Sequence, residues 1–162
     1  MTRLVLLSDS HGRKTEFEEI CKLHPEASRF IFLGDGAGEF EQLKAEHPDW
    51  PLIGVKGNCD LGSDLPRDLE LIIDGKRLFC THGNGYAVKS GTWMLADEAK
   101  ARGCAAAFYG HTHTQDSVYD GGVLCVNPGA VSDYFSPKYA IVDITGNGTM
   151  VTSLCELKPG RR

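Results

Sequence analysis

The stretch RLVLLSDSHGRKTEFEEICKL, residues 3–23, decides the fold. It opens on a short uninterrupted apolar run, the make-up of a strand buried on both faces. It then crosses a polar cluster, Asp9-Ser10-His11-Gly12, and enters a segment whose Phe17, Ile20, Cys21 and Leu23 share one helical face. Thr15 followed by Glu18 predicts a capping box at the start of that helix. The same unit recurs downstream. RFIFLGD (29–35) is a second strand, and Phe40, Leu43 and His47 space a second helix that HPDWP (47–51) ends. PLIGVKGN (51–58) is a third strand. Strand, helix, strand, helix, strand implies a parallel sheet covered by helices.

The pattern changes after residue 60. DLELIIDGKRLFCTHG (68–83) is two strand-like runs joined by Asp74-Gly75, a strong hairpin signal. TWMLADEAKAR (92–102) is a helix ending at Gly103, and AAAFYG (105–110) is a buried strand. DSVYDGGVLCVNPG (116–129) is a hairpin turning at Gly121-Gly122, and residues 139–157 form another, turning around Gly146 to Gly148. The second half is therefore expected to be largely antiparallel. The expected fold class is α/β (α+β), with two mixed β-sheets packed as a sandwich and helices on the outer faces. With 162 residues and neither repeat nor linker, one domain over 1–162 is expected.

Composition excludes several classes of function. Hydrophobic residues make up 41% and charged residues 24%, the balance of a soluble globular domain. No apolar run approaches the roughly 20 residues of a membrane span, and no signal peptide is evident. The net charge is −5, with basic residues clustered only in the terminal KPGRR, so bulk binding of nucleic acid is not expected. The six cysteines are scattered, without a C-x-x-C pair, and most lie in apolar segments. That usage implies free thiols in a reducing compartment and hence a cytoplasmic location.

Five stretches repeat one layout, an apolar strand followed by a polar cluster with glycine. They are Asp9-Ser10-His11-Gly12, Gly34-Asp35-Gly36, Gly57-Asn58-Cys59-Asp60, Thr81-His82-Gly83-Asn84 and Gly110-His111-Thr112-His113. Loops at the carboxyl ends of parallel strands converge on one crevice. Four of the six histidines fall in these loops, whereas His24 and His47 precede prolines at helix ends and are expected to face solvent. Singly, each cluster would be a turn or a cap; together, five strand ends with these residue types point to a metal site.

The ordered set D-x-H, G-D, G-N, H and G-H-x-H, from Asp9 to His113, resembles the calcineurin-like metallophosphoesterase superfamily. The later NPGAVS, from Asn127, and the GNCD at 57–60 are similar to its small YfcE-like phosphodiesterases. The resemblance implies the superfamily's four-layer fold and two adjacent divalent ions. Asp9, His11 and His113 would bind one, Asp35 would bridge to the other, and Asn58, His82 and His111 would complete it. The two histidines of GHTH would thus serve different ions, by the expectation that extended backbone sends residues i and i+2 the same way. Imidazole, carboxylate and amide donors without thiolate suit Mn²⁺ above all, with Ni²⁺, Fe²⁺ and Zn²⁺ as alternatives. Two divalent ions outweigh two carboxylates and a bridging hydroxide, leaving a local positive potential for an anionic phosphate ester. The implied reaction is in-line attack of that hydroxide on phosphorus.

One position departs from the pattern. Where the superfamily carries a histidine that serves the leaving group, this chain has Cys59, followed by Asp60. A thiol is a poor match for imidazole as a proton donor. Asn58, Cys59 and Asp60 are the candidate catalytic residues, and the replacement favours a phosphodiesterase over a phosphomonoesterase. A small phosphate ester is the expected substrate, and self-association of the chain is left open. The superfamily also includes a retromer subunit that is a protein-binding scaffold; a scaffold is free to lose ligands, and this chain fills every expected position. Ser10 and Thr112 are expected to hold loops, Asn84 lies in a turn or beside substrate, and Tyr86, Trp93, Tyr134 and Phe135 either wall the cleft or pack in the core.

Overall fold

The structure, a computed structural model, describes residues 1–158. Pro159–Arg162, the end of the basic KPGRR and of the expected domain, lie outside the described residues.

Two five-stranded sheets make up the centre. The first is ordered β10-β9-β1-β2-β3, from Met150–Glu156, Lys138–Ile144, Thr2–Leu7, Arg29–Phe32 and Leu52–Gly54. The second is ordered β4-β5-β6-β8-β7, from Asp68–Ile73, Lys76–Thr81, Ala106–Phe108, Val123–Asn127 and Asp116–Asp120. Strand alternation sorts the side chains into layers. Leu4, Leu6, Ile31, Val142 and Ile144 of the first sheet meet Leu78, Ala106, Phe108 and Val126 of the second in the inner core. Val5, Leu7, Phe30 and Phe32 face the opposite way, under Phe17 and Ile20 of α1 (Lys14–Lys22) and Phe40 and Leu43 of α2 (Ala37–Glu46). On the far side, Phe79, Ala107 and Cys125 pack under Leu95, Ala96 and Ala99 of α3 (Trp93–Ala101). The result is the expected four layers. Phe32 is fully buried between Phe17 and Phe40, with ring centroids at 5.3 and 5.6 Å, so its truncation to alanine would cost about 3–5 kcal/mol.

Three sequence expectations fail locally. The second half is largely antiparallel as expected, but its centre is not. The expected hairpins form, but β5, β6 and β8 pair in parallel. The α3 crossover returns the chain to β6 in the direction of β5, and β8 is the returning arm of its hairpin. The capping box does not form either. Arg13 caps α1 without a side-chain bond, because the Arg13 N–H already donates to the Ser10 carbonyl at 2.8 Å and turns the chain early. Glu18 instead bonds His47 Nε2 at 2.7 Å. His24 and His47 do not simply face solvent. The His24 Nε2 lies 3.0 Å from the Tyr139 hydroxyl, and the His47 ring stacks on Trp50 at 3.7 Å. Each is a flat ring beside an apolar surface, and packing wins over exposure.

All six mutually parallel strands, β1, β2, β3, β5, β6 and β8, run their carboxyl ends toward the polar loops. Among the described residues no helix is long and apolar enough to cross a membrane.

Candidate metal centre

Backbone hydrogen bonds tie the loops together. Asp9 N–H donates to the Gly34 carbonyl at 2.8 Å, His11 N–H to that of Asp35 at 3.1 Å, and Gly110 N–H to that of His82 at 2.9 Å. Two close approaches require glycine. A Cβ on Gly57 would stand 2.1 Å from Asp35 Oδ1, and one on Gly110 would stand 2.0 Å from Ser8 Oγ.

Each of the two acidic side chains has one oxygen anchored by the chain and one turned toward imidazoles. Asp9 is fully buried, and its Oδ2 accepts from the Ser8 hydroxyl at 2.5 Å and the His111 N–H at 3.1 Å. Its Oδ1 has no hydrogen-bond partner. That oxygen faces His113 Nε2 at 3.1 Å, His11 Nε2 at 3.5 Å and His82 Nε2 at 3.9 Å. Asp35 repeats the scheme. Its Oδ1 accepts from the Cys59 N–H at 2.8 Å, and its Oδ2 faces His82 Nε2 at 3.2 Å and His11 Nε2 at 3.9 Å.

The donors fall into two groups of three, Asp9, His11 and His113, then Asp35, His82 and His111, with ligand atoms within 4.8 Å of one another in each. This is the division expected for GHTH, but not for the expected reason. His111 and His113 do not lie on extended backbone; their φ values are 70° and 62°. Of seven non-glycine residues at positive φ, five are Asp9, His11, Asp35, His111 and His113. Left-handed backbone at β-carbon-bearing residues is uncommon and strained, and it concentrates where a site demands a particular aim.

The histidines are set to offer lone pairs. His82 Nδ1 lies 2.7 Å from the Leu33 carbonyl, which fixes its proton there and leaves Nε2 toward Asp35 and toward His111 Nδ1 at 3.2 Å. Burial opposes charge on His82, but hydrogen bonding to Asp35 and the nearby Asp9 outweigh it and raise its pKa. Burial likewise opposes ionisation of Asp35, yet bonds from His82 and the Cys59 N–H hold its carboxyl well below the usual range. A buried unpartnered carboxylate oxygen among three imidazole nitrogens is what a divalent cation would satisfy. The residues therefore fit a metal. A third grouping, Glu18, Glu46 and His47, already holds a cation, since Lys14 Nζ lies 2.8 and 2.7 Å from the two Glu46 oxygens.

Asn58 and Cys59 are exposed on the turn after β3, with Asn58 Nδ2 3.6 Å from Cys59 Sγ. The negative charge of Asp35 holds the Cys59 thiol above its ordinary pKa. Asp60 is engaged by backbone amides. Its Oδ2 accepts from the N–H groups of Asp35 at 2.7 Å and Gly57 at 2.8 Å, and its Oδ1 from those of Gly36 and Ala37, both at 2.9 Å. Four backbone amides occupy the carboxylate, which thereby caps α2 and fixes the Asp35 loop.

Two further braces were not among the expected site residues, although Asn127 opens the NPGAVS stretch. Buried Asn127 donates to the Gly110 carbonyl at 3.0 Å and the Thr112 hydroxyl at 2.9 Å, which locks the GHTH turn. Glu39 accepts from the Ser10 hydroxyl at 2.7 Å and the Gly12 N–H at 2.9 Å. The signal for Asn127 was a lone polar residue ending an otherwise apolar strand.

Fold and site together define a phosphoesterase of the calcineurin type. A family model described as the calcineurin-like phosphoesterase superfamily domain matches residues 2–147, and the chain belongs to that family. It is 32% identical over 130 residues to the probable metallophosphoesterase YsnB of Bacillus subtilis, covering 79% of this chain and 74% of that protein. Among solved structures, an archaeal phosphodiesterase superposes with TM-score 0.74 at 20% identity, covering 95% of this chain and all (100%) of that one. Vps29 of Chaetomium thermophilum superposes with TM-score 0.73 at 16% identity, covering 97% of both chains. At those identities the likeness is one of fold.

Proposed function

We propose that the chain is a dinuclear metal-dependent phosphodiesterase. The observation that carries the reading is the pair of buried carboxylates, each with one oxygen anchored by the chain and the other turned to imidazoles, that of Asp9 with no hydrogen-bond partner. Asp9, His11 and His113 would hold one divalent ion and Asn58, His82 and His111 the other, with Asp35 between them and Mn²⁺ as the favoured metal. Bound there, the ions would supply Lewis acidity to the phosphoryl oxygens and activate water for in-line attack. The chain's own part is to aim the donors, through the left-handed loops, and to keep them aimed, through Asp60, Asn127 and Glu39. At the leaving-group position Cys59 offers a thiol whose pKa is raised and no imidazole. Esters with good leaving groups are favoured, and a diester monoanion presents less charge than a monoester dianion.

The test is metal analysis together with hydrolysis of bis-p-nitrophenyl phosphate and p-nitrophenyl phosphate. Two bound ions per chain and faster turnover of the diester support the reading. No bound metal and no turnover with any divalent ion would favour the scaffold. Cys59→His should raise monoester turnover, and an unchanged rate would remove Cys59 from the explanation of specificity.

A further inference from the structure

Tyr134 and Phe135 are 90% and 86% exposed, so core packing does not account for them. Large apolar groups side by side in water are unfavourable and mark a surface meant to be covered. These two are also held in place. The Asp133 Oδ1 accepts from the N–H groups of Phe135 at 3.0 Å and Ser136 at 3.3 Å, which fixes the turn that presents them. Their rings meet edge to face at 5.2 Å and 89°, an arrangement that leaves ring faces open.

The same loop is fastened to the metal centre. Ser132 donates to the Asp9 carbonyl from its hydroxyl at 2.7 Å and from its N–H at 3.2 Å. Both aromatics line a cavity of about 280 Å³ with Val131 and with Arg13, two residues beyond His11. The cavity is thus walled by the loop bonded to Asp9 and by a residue of the turn that carries His11. Its lining also holds Glu16, Glu19, Asp133 and Lys158, with Arg13 3.6 Å from Glu16 Oε2, but two aromatic faces beside a guanidinium are the means by which proteins hold unpaired nucleobases.

Resting on the phosphodiesterase reading, we propose that this cavity receives the base of a nucleoside on the retained arm of the substrate, so that the substrate class is nucleoside phosphodiesters. Tyr134 or Phe135 would stack on the base, and Arg13 would lie along its edge. A second copy of this chain is the competing occupant.

The experiment compares two diesters with the same leaving group, thymidine 5′-(p-nitrophenyl phosphate) and methyl p-nitrophenyl phosphate. Wild-type protein should prefer the nucleoside ester in kcat/KM by about tenfold or more, the scale of one base stacked on an aromatic ring. In Tyr134→Ala/Phe135→Ala the ratio should fall toward one, and Tyr134→Trp with Phe135 retained should restore it. A wild-type ratio near one, or a ratio unmoved by the double variant, overturns the proposal. So does sedimentation velocity that shows a wild-type dimer becoming a monomer in the double variant. Titration with thymidine 5′-monophosphate, followed by calorimetry on metal-free protein, separates this inference from the reading on which it rests. Binding that the double variant abolishes supports the subsite even if neither ester turns over, and equal binding by both proteins overturns it.

Discussion

The two ligand groups lie side by side but in different surroundings. In one, the side chains of His82 and Asp35 are 1% and 4% exposed; in the other, His11 and His113 are 34% and 48% exposed, around a fully buried Asp9. A charge in the buried group is poorly screened and tightly held, whereas the open group can exchange water and admit an ester. On the dinuclear reading, the contrast makes one position suited to retention and the other to access.

The largest break in this contrast should come from Asp35→Asn, because Asp35 Oδ2 faces His82 of one group and His11 of the other. Both ions should be lost by elemental analysis, and diester turnover should fall by about a thousandfold or more. His113→Ala should be more selective. One ion per chain should remain, in the buried group, and turnover should fall on the order of a hundredfold or more. If that variant loses both ions, the groups are not separable.

Gly57→Ala tests the buried side by sterics. The added Cβ would drive Asp35 off its anchor, weakening metal affinity about 10–100-fold. Overpacking of about 1–3 kcal/mol should also lower Tm by roughly 2–12 °C. Acid acts on the same group with a gentler slope. His82 has a raised pKa, so below that value a proton occupies Nε2 and a metal must displace it. Affinity at the buried position should therefore fall, by at most about tenfold per pH unit for one displaced proton, as pH drops below His82's pKa. Competition titrations with a chelator across pH would measure it, and a flat profile would remove His82 from the ligand set.

Much of this was legible in the sequence because it rests on local chemistry. Apolar runs that end in Asp, His or Asn beside glycine are visible residue by residue, and the hairpin at Asp74-Gly75 follows from turn preference alone. What escaped depends on partners distant along the chain. The parallel pairing of β5 with β6 is set by a crossover, which no window of sequence displays. Asp60 was a catalytic candidate because the resembled pattern pairs it with the histidine that Cys59 replaces, and no local signal shows that its oxygens meet amides about 25 residues upstream, in the Asp35 loop. His111 and His113 were assigned to different ions by the resemblance, with extended backbone as the expected means, while their aim comes from two left-handed residues braced by Asn127.

The anchored oxygens of Asp9 and Asp35 have one more consequence. Each is gripped by hydroxyl or amide groups of the chain itself, so folding, not metal, assembles the constellation. Losing its ions should leave this protein an intact but idle shape, able to refold in a chelating buffer and to recover at the speed with which ions diffuse back. Its working state would then follow the free metal supply around it like a reading on a gauge, with no rebuilding between one filling and the next.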